Sequence, residues 1–142
     1  MRLKFIAIFL FFGILGCKSY ETSDLIGTWV IADWSREYLP TELQKAQAKI
    51  ILNANGTFIA SDMPIDFYFH YHDRDVHLES GSGVWKIKFI QKRQQIELEF
   101  LAITGWRKDE LPLGWLLDIS NRSLYYYMSD PDLGHKISFE RQ

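Results

Sequence analysis

One cysteine, four prolines and no excess of either charge mark this 142-residue chain. A single thiol cannot close an intrachain disulfide or build a Cys-rich zinc site. The net charge of -2 removes the positive field that steers a protein to nucleic acid. With 47% apolar residues the composition is not that of a disordered chain. The length suits one domain. Catalytic signatures are scarce as well. No Gly-x-Ser-x-Gly elbow is present, and Gly81-Ser82-Gly83 lacks the spacing and the Lys-Ser/Thr of a phosphate loop. No nucleophile–base pair emerges from spacing, so the chain reads as a non-enzyme that needs no cofactor.

What is present begins at the N-terminus. Arg2 and Lys4 precede Phe5–Leu15, an uncharged apolar run. The run falls short of the roughly 20 residues a membrane-crossing helix needs, but it has the form of a secretory signal peptide. It ends in Ile14-Leu15-Gly16-Cys17. This stretch resembles the lipobox of bacterial lipoproteins. The resemblance implies a signal peptide over 1–16, diacylglycerol on the Cys17 thiol, and acylation of the amine freed by cleavage. Each buried methylene contributes about 0.8 kcal/mol, and more than one chain is required for stable anchoring. The expected organisation is a lipidated tether over 17–23 and a folded domain over 24–142, in the bacterial cell envelope. Lys18, where Asp would signal inner-membrane retention, points to the outer membrane if the source is Gram-negative.

The folded part alternates with period two. Trp85, Ile87 and Phe89 oppose Lys86 and Lys88, and Ile96, Leu98 and Phe100 oppose Glu97 and Glu99. Similar alternation covers Trp115–Ile119, Leu124–Met128 and Ile137–Phe139. One wet face and one dry face predict antiparallel strands. Turn signals fall at Asn53–Gly56, Ser80–Gly83, Gln91–Gln94, Ser120–Ser123 and Asp130–Gly134. Only Thr41–Ala48 favours a helix, with Thr41 as N-cap.

Leu25-Ile26-Gly27-Thr28-Trp29 opens the first strand. A Gly-x-Trp there resembles lipocalins and the wider calycin group. Further pieces resemble small exported lipocalin-like bacterial proteins of unassigned activity: Asn55–Phe58, Met63-Pro64, Gly81–Ile87, Ile96–Phe100, Asp130–Gly134 and Ile137–Glu140. The resemblance implies an all-β, lipocalin-like up-and-down antiparallel barrel with one short helix. It also implies that Trp29 closes one end and that an Arg near the C-terminus, here Arg141, packs over it.

Three functions fit this fold. An eight-stranded barrel can hold one small apolar ligand, with Trp29, Phe58, Phe67, Phe69, Trp85, Phe89, Phe100, Trp115 and Tyr126 as candidate lining or rim. The same side chains, with Phe139, can instead fill the barrel, leaving an envelope protein-interaction module that works through its outer surface. His70, His72 and His77 have the chemistry of a metal site, but the same stretch suits a solvated loop tip. Asp130 and Asp132 around Pro131 suit a tight turn better than a catalytic pair. Trp106 fits either a buried position under its loop or an exposed rim. The expected partners are a membrane, through the anchor, and an apolar ligand or an envelope protein.

Overall fold

In the computed structural model the protein is described over residues 19–65, 77–111, 114–128 and 130–142, with the backbone alone at Ile65 and His77. Eight strands follow one another around a closed antiparallel barrel. They are β1 (Gly27–Ile31), β2 (Lys49–Leu52), β3 (Thr57–Ile65), β4 (His77–Ile90), β5 (Arg93–Ile103), β6 (Trp115–Ser120), β7 (Ser123–Tyr127) and β8 (Lys136–Arg141). Closure comes from β1 pairing with β8, where Trp29 lies opposite Arg141 and Ile31 opposite Phe139. The antiparallel strands are those the alternation predicts, and the all-β, up-and-down barrel is the one implied by the lipocalin-like resemblance.

The inward set is continuous across every seam. Trp29 pairs with Ile50, Leu52 with Phe58, Trp85 with Leu98, Ile96 with Leu117, and Leu124 with Phe139. All of these are buried. Two bulges shift the alternation. Ala60 pairs with Gly81 but Met63 with Glu79, which puts one extra residue into β3. Asp62 takes φ +50 there, and its N–H donates to Ser80 Oγ at 3.0 Å. On β5, Ser82 pairs with Ala102 and Gly83 with Phe100, so Leu101 is the extra residue and turns outward. Each bulge moves the next apolar side chain, Met63 or Ile103, back into the core.

Three expectations change. Ser80–Gly83 is not a turn but the middle of β4. A Cβ on Gly83 would overlap the Glu99 carbonyl oxygen and lie 2.9 Å from Phe58 Cε1. One on Gly81 would lie 2.5 Å from the Ala102 oxygen and 2.9 Å from Phe100 Cδ1. These glycines let β5 and two phenyl rings approach the strand closely.

The helix expected over Thr41–Ala48 shrinks to a 3-10 turn at Thr41–Leu43, preceded by Pro40. A segment this short cannot offset helix nucleation alone. Ala48, fully buried, must also present its carbonyl to the Ile31 N–H at 2.9 Å. The short α-helix is α1 (Thr22–Leu25) instead.

The third change follows from α1. The chain docks from Tyr20, whose N–H and C=O exchange hydrogen bonds with the Gln94 side-chain amide at 2.6 and 2.9 Å. Within the expected lipidated tether over 17–23, the chain from Tyr20 onward is docked on the barrel. Core, plug and closing seam all lie between Tyr20 and Arg141.

The connections sort into two ends. Gly27 and Leu52 lie at one end, here the base, with the hairpins at 53–56, 91–92 and 121–122 and the C-terminus. Of the described connections, 32–48, 104–111 and 130–135 leave from the other end, the top.

Candidate functional site

The candidate lining residues divide by depth. At the base, Leu25 of α1 is 1% exposed and plugs the barrel. The Trp29 indole N–H donates to the Leu25 carbonyl at 2.9 Å. Arg141 lies with its guanidinium carbon 6.0 Å from the Trp29 ring centroid, and it donates to the Asp24 and Ile26 carbonyls at 3.0 and 2.5 Å. The Arg over Trp arrangement expected from the resemblance is therefore present. Trp85 is buried under the β2–β3 hairpin, where its indole N–H donates to the Asn53 carbonyl at 3.0 Å.

Higher in the barrel, aromatic rings touch in series. Phe58 meets Phe100 edge-on at 4.9 Å between centroids, Phe100 stacks toward Trp115 at 6.5 Å, and Trp115 meets Tyr126 at 4.7 Å. The series runs along β3, β5, β6 and β7. Tyr126 then donates its hydroxyl to the Pro64 carbonyl on β3. β3 and β7 stand four places apart in a ring of eight. The phenol therefore reaches from one wall to the opposite one.

Phe89 does not join this interior. It shares the inward side of β4 with Trp85, but it sits where the β4–β5 hairpin runs past the barrel, and it is 72% exposed. Phe67, Phe69, His70 and His72 lie outside the described residues, as do the His77 side chain, Cys17 and the expected signal peptide. Among the described residues, no three His, Cys, Asp or Glu side chains converge as a metal site. Asp130 accepts from the Asp132 N–H at 3.0 Å in a turn that ends at Gly134 with φ +71, as the turn reading expects. Trp106 is half-buried and packs on the core beneath its loop.

Two features were not read from the sequence. A cleft of about 510 Å³ opens at the base, bordered by Tyr20, Trp29, Asn121, Arg122 and Arg141. On the outer wall, the 3-10 turn Asp33–Tyr38 folds back over β8. Ser35 Oγ donates to the Ala32 carbonyl at 2.9 Å and lies 3.3 Å from the Ser138 carbonyl, with both serines buried. This fold-back brings Trp34 beside Lys136, whose ammonium lies 4.6 Å from the Tyr125 ring centroid and 5.7 Å from that of Trp34. Burial, aided by Asp118, pushes the Tyr125 phenol above its ordinary value. The alternation of β7 and β8 was a signal for Tyr125 and Lys136 on one face. Nothing in the sequence places Trp34 there.

Elsewhere on the outer wall, Glu97 lies 3.0 Å from Lys86 and also bonds Lys88. The Lys88 hydrogen bond, then the nearby Lys86, holds the Glu97 carboxyl below its ordinary value.

No family model matches the chain, and neither a curated protein nor a solved structure matches it.

Proposed function

We propose that the protein is a lipid-anchored envelope domain that works through its outer surface and loops, with its barrel serving as a filled scaffold. The observation that supports this reading best is the hydrogen bond from Tyr126 across the lumen to Pro64. A side chain that spans opposite walls occupies the volume a calyx ligand would take. Phe58, Phe100 and Trp115 add to the filling on one side. The anchor rests on Ile14-Leu15-Gly16-Cys17, and the short distance from Cys17 to the docked Tyr20 suits a domain held close to a bilayer.

Titration with a fluorescent fatty acid tests the filled lumen. Wild type should show no saturable binding, and Tyr126→Ala should gain it by opening a cavity. Saturable one-to-one binding by wild type would restore the small apolar ligand reading. Metabolic labelling with palmitate tests the anchor separately. Label should enter wild type and be lost in Cys17→Ala, and a wild type that takes up no label removes the anchor.

A further inference from the structure

We infer that the base of the barrel is a docking face for an anionic lipid surface, with Phe89 as its apolar contact and Lys92, Arg93 and Arg122 as its headgroup contacts. The inference deepens the anchored reading by stating which end meets the bilayer.

Three observations converge on that end. The first is covalent reach. Tyr20 is fixed to Gln94 at the root of the β4–β5 hairpin. Only Lys18 and Ser19 separate it from Cys17, and the three Cα–Cα steps, at about 3.5 Å each, span roughly 10 Å at most. A lipid on Cys17 therefore holds the base within roughly one Debye length of the membrane at physiological salt, about 8 Å. The top is a strand length further away.

The second is an exposed ring in the same place. Phe89 is the most exposed large apolar side chain among the described residues, at 72%. β4 pairs with β3 only as far as Val84 and β5 pairs with β6 only from Gln95, so Phe89 sits on the part of the ribbon that runs past the neighbouring strands. An apolar side chain that projects next to an anchor can enter the boundary between headgroups and acyl chains.

The third is charge. The tips 89–94 and 119–123 carry Lys92, Arg93 and Arg122 and contain no Asp or Glu. These three are exposed. The nearby carboxylates are Glu21, Asp24, Asp118 and Glu140. Asp24 accepts the Glu21 N–H, Asp118 accepts from Gln95, and Glu140 accepts from the Trp34 indole. Glu21 is exposed at the start of α1. At the other end the described loops are acidic, with Glu42, Asp109, Glu110, Asp130 and Asp132 outweighing Lys45, Arg107 and Lys108. The two hairpin tips beside the tether are thus cationic while the far-end loops are acidic, and an anionic surface attracts those tips. Each cation near such a surface raises partitioning about fivefold.

Because the folded unit lies between Tyr20 and Arg141, a chain of residues 18–142, without Cys17, isolates this contact from lipidation. Its co-sedimentation should be compared on vesicles of phosphatidylcholine alone and of phosphatidylcholine with 30 mol% phosphatidylglycerol (about a third anionic lipid, as in a surface-charge assay). Binding should appear on the anionic vesicles only and fall with added salt. Lys92→Glu with Arg93→Glu should lower it at least about 25-fold. Phe89→Ser should lower it about tenfold. Asp109→Asn with Glu110→Gln, at the top, should not reduce it. Equal partitioning to both vesicle types, no partitioning at all, or an unchanged value in the charge-reversed variant with a native melting curve would overturn the inference. Loss of palmitate labelling would remove the anchor and leave this contact standing, so the two failures are separable.

Discussion

At the base the chain reverses within residues 53–56, 91–92 and 121–122, and both ends of the domain are tied in by Tyr20, α1 and Arg141. At the top, among the described residues, it runs through longer segments such as 32–48, 104–111 and 130–135 between strands. The difference shows how a barrel divides its labour. The base satisfies its backbone with dedicated side chains, as Trp29 and Arg141 take up the carbonyls of Leu25, Asp24 and Ile26. Once one end is sealed in this way, length at the other end carries little entropic penalty, because loop closure grows only slowly with length. Long connections are where recognition surfaces are usually placed.

The largest test of this division is a matched pair of tryptophans. Trp29→Ala at the base removes a buried indole, its hydrogen bond and the stack under Arg141. It should cost about 3–5 kcal/mol, and Tm should fall by more than about 10 °C. Trp106→Ala at the top, where the ring is half-buried, should cost less than half as much. Calorimetry on both variants decides the matter, and equal losses would erase the asymmetry.

Arg141 sharpens the same point. Arg141→Ala leaves two carbonyls to water and should cost about 1–2 kcal/mol. Arg141→Lys should recover little, because an ammonium cannot fork between the Asp24 and Ile26 carbonyls while lying on the Trp29 ring.

How far each end was legible in the sequence differs too. The walls were readable because one face is wet: Lys86 and Lys88 against Trp85 and Ile87 leave little choice of side. The Trp29–Arg141 closure followed from a family likeness and was found in place. The glycines of Ser80–Gly83 misled, because a strand glycine and a turn glycine look alike until Phe58 and Phe100 are seen pressing on them. The bulges at Asp62 and Leu101 were equally silent, since Met63 and Ile103 merely interrupt an alternation. Phe89 had the right parity, but parity does not report depth along a barrel. The bond from Tyr126 across to Pro64 was not legible at all. Tyr126 and Pro64 are far apart in the sequence, and only closure of the ring brings them together.

Acid stability separates the two halves by a smaller margin. Glu97, on the outer wall toward the base, is held below its ordinary value of about 4.5 by Lys88 and Lys86 in the folded state. Unfolding returns it to the ordinary value, so its stabilising contribution is complete above about pH 4.5 and is lost as pH falls through the native value. Glu97→Gln should flatten the decline of Tm in that acid window. At the top, the Arg107, Asp109 and Glu110 cluster is largely exposed and screened by water. Asp109→Asn with Glu110→Gln should leave the decline as steep as in wild type. The reverse result would place the acid-sensitive contact at the wrong end.

The smallest effect bears most directly on why the base has the residues it has. Gln91 and Lys92 turn the β4–β5 hairpin with φ +48 and +65, conformations that favour Asn and Gly. Gly134 at the top, with φ +71, already holds the preferred residue. Lys92→Gly should therefore raise stability by about 0.5 kcal/mol, with Tm up by about 2 °C. If the hairpin tip were only a connection, that gain would come free. If the tip meets an anionic bilayer, the same variant should lose about fivefold in partitioning to phosphatidylglycerol vesicles. A strained lysine that stabilises nothing in the fold then has a reason to be there. A Lys92→Gly protein that gains stability and keeps full vesicle binding would show that the base is a lid and nothing more.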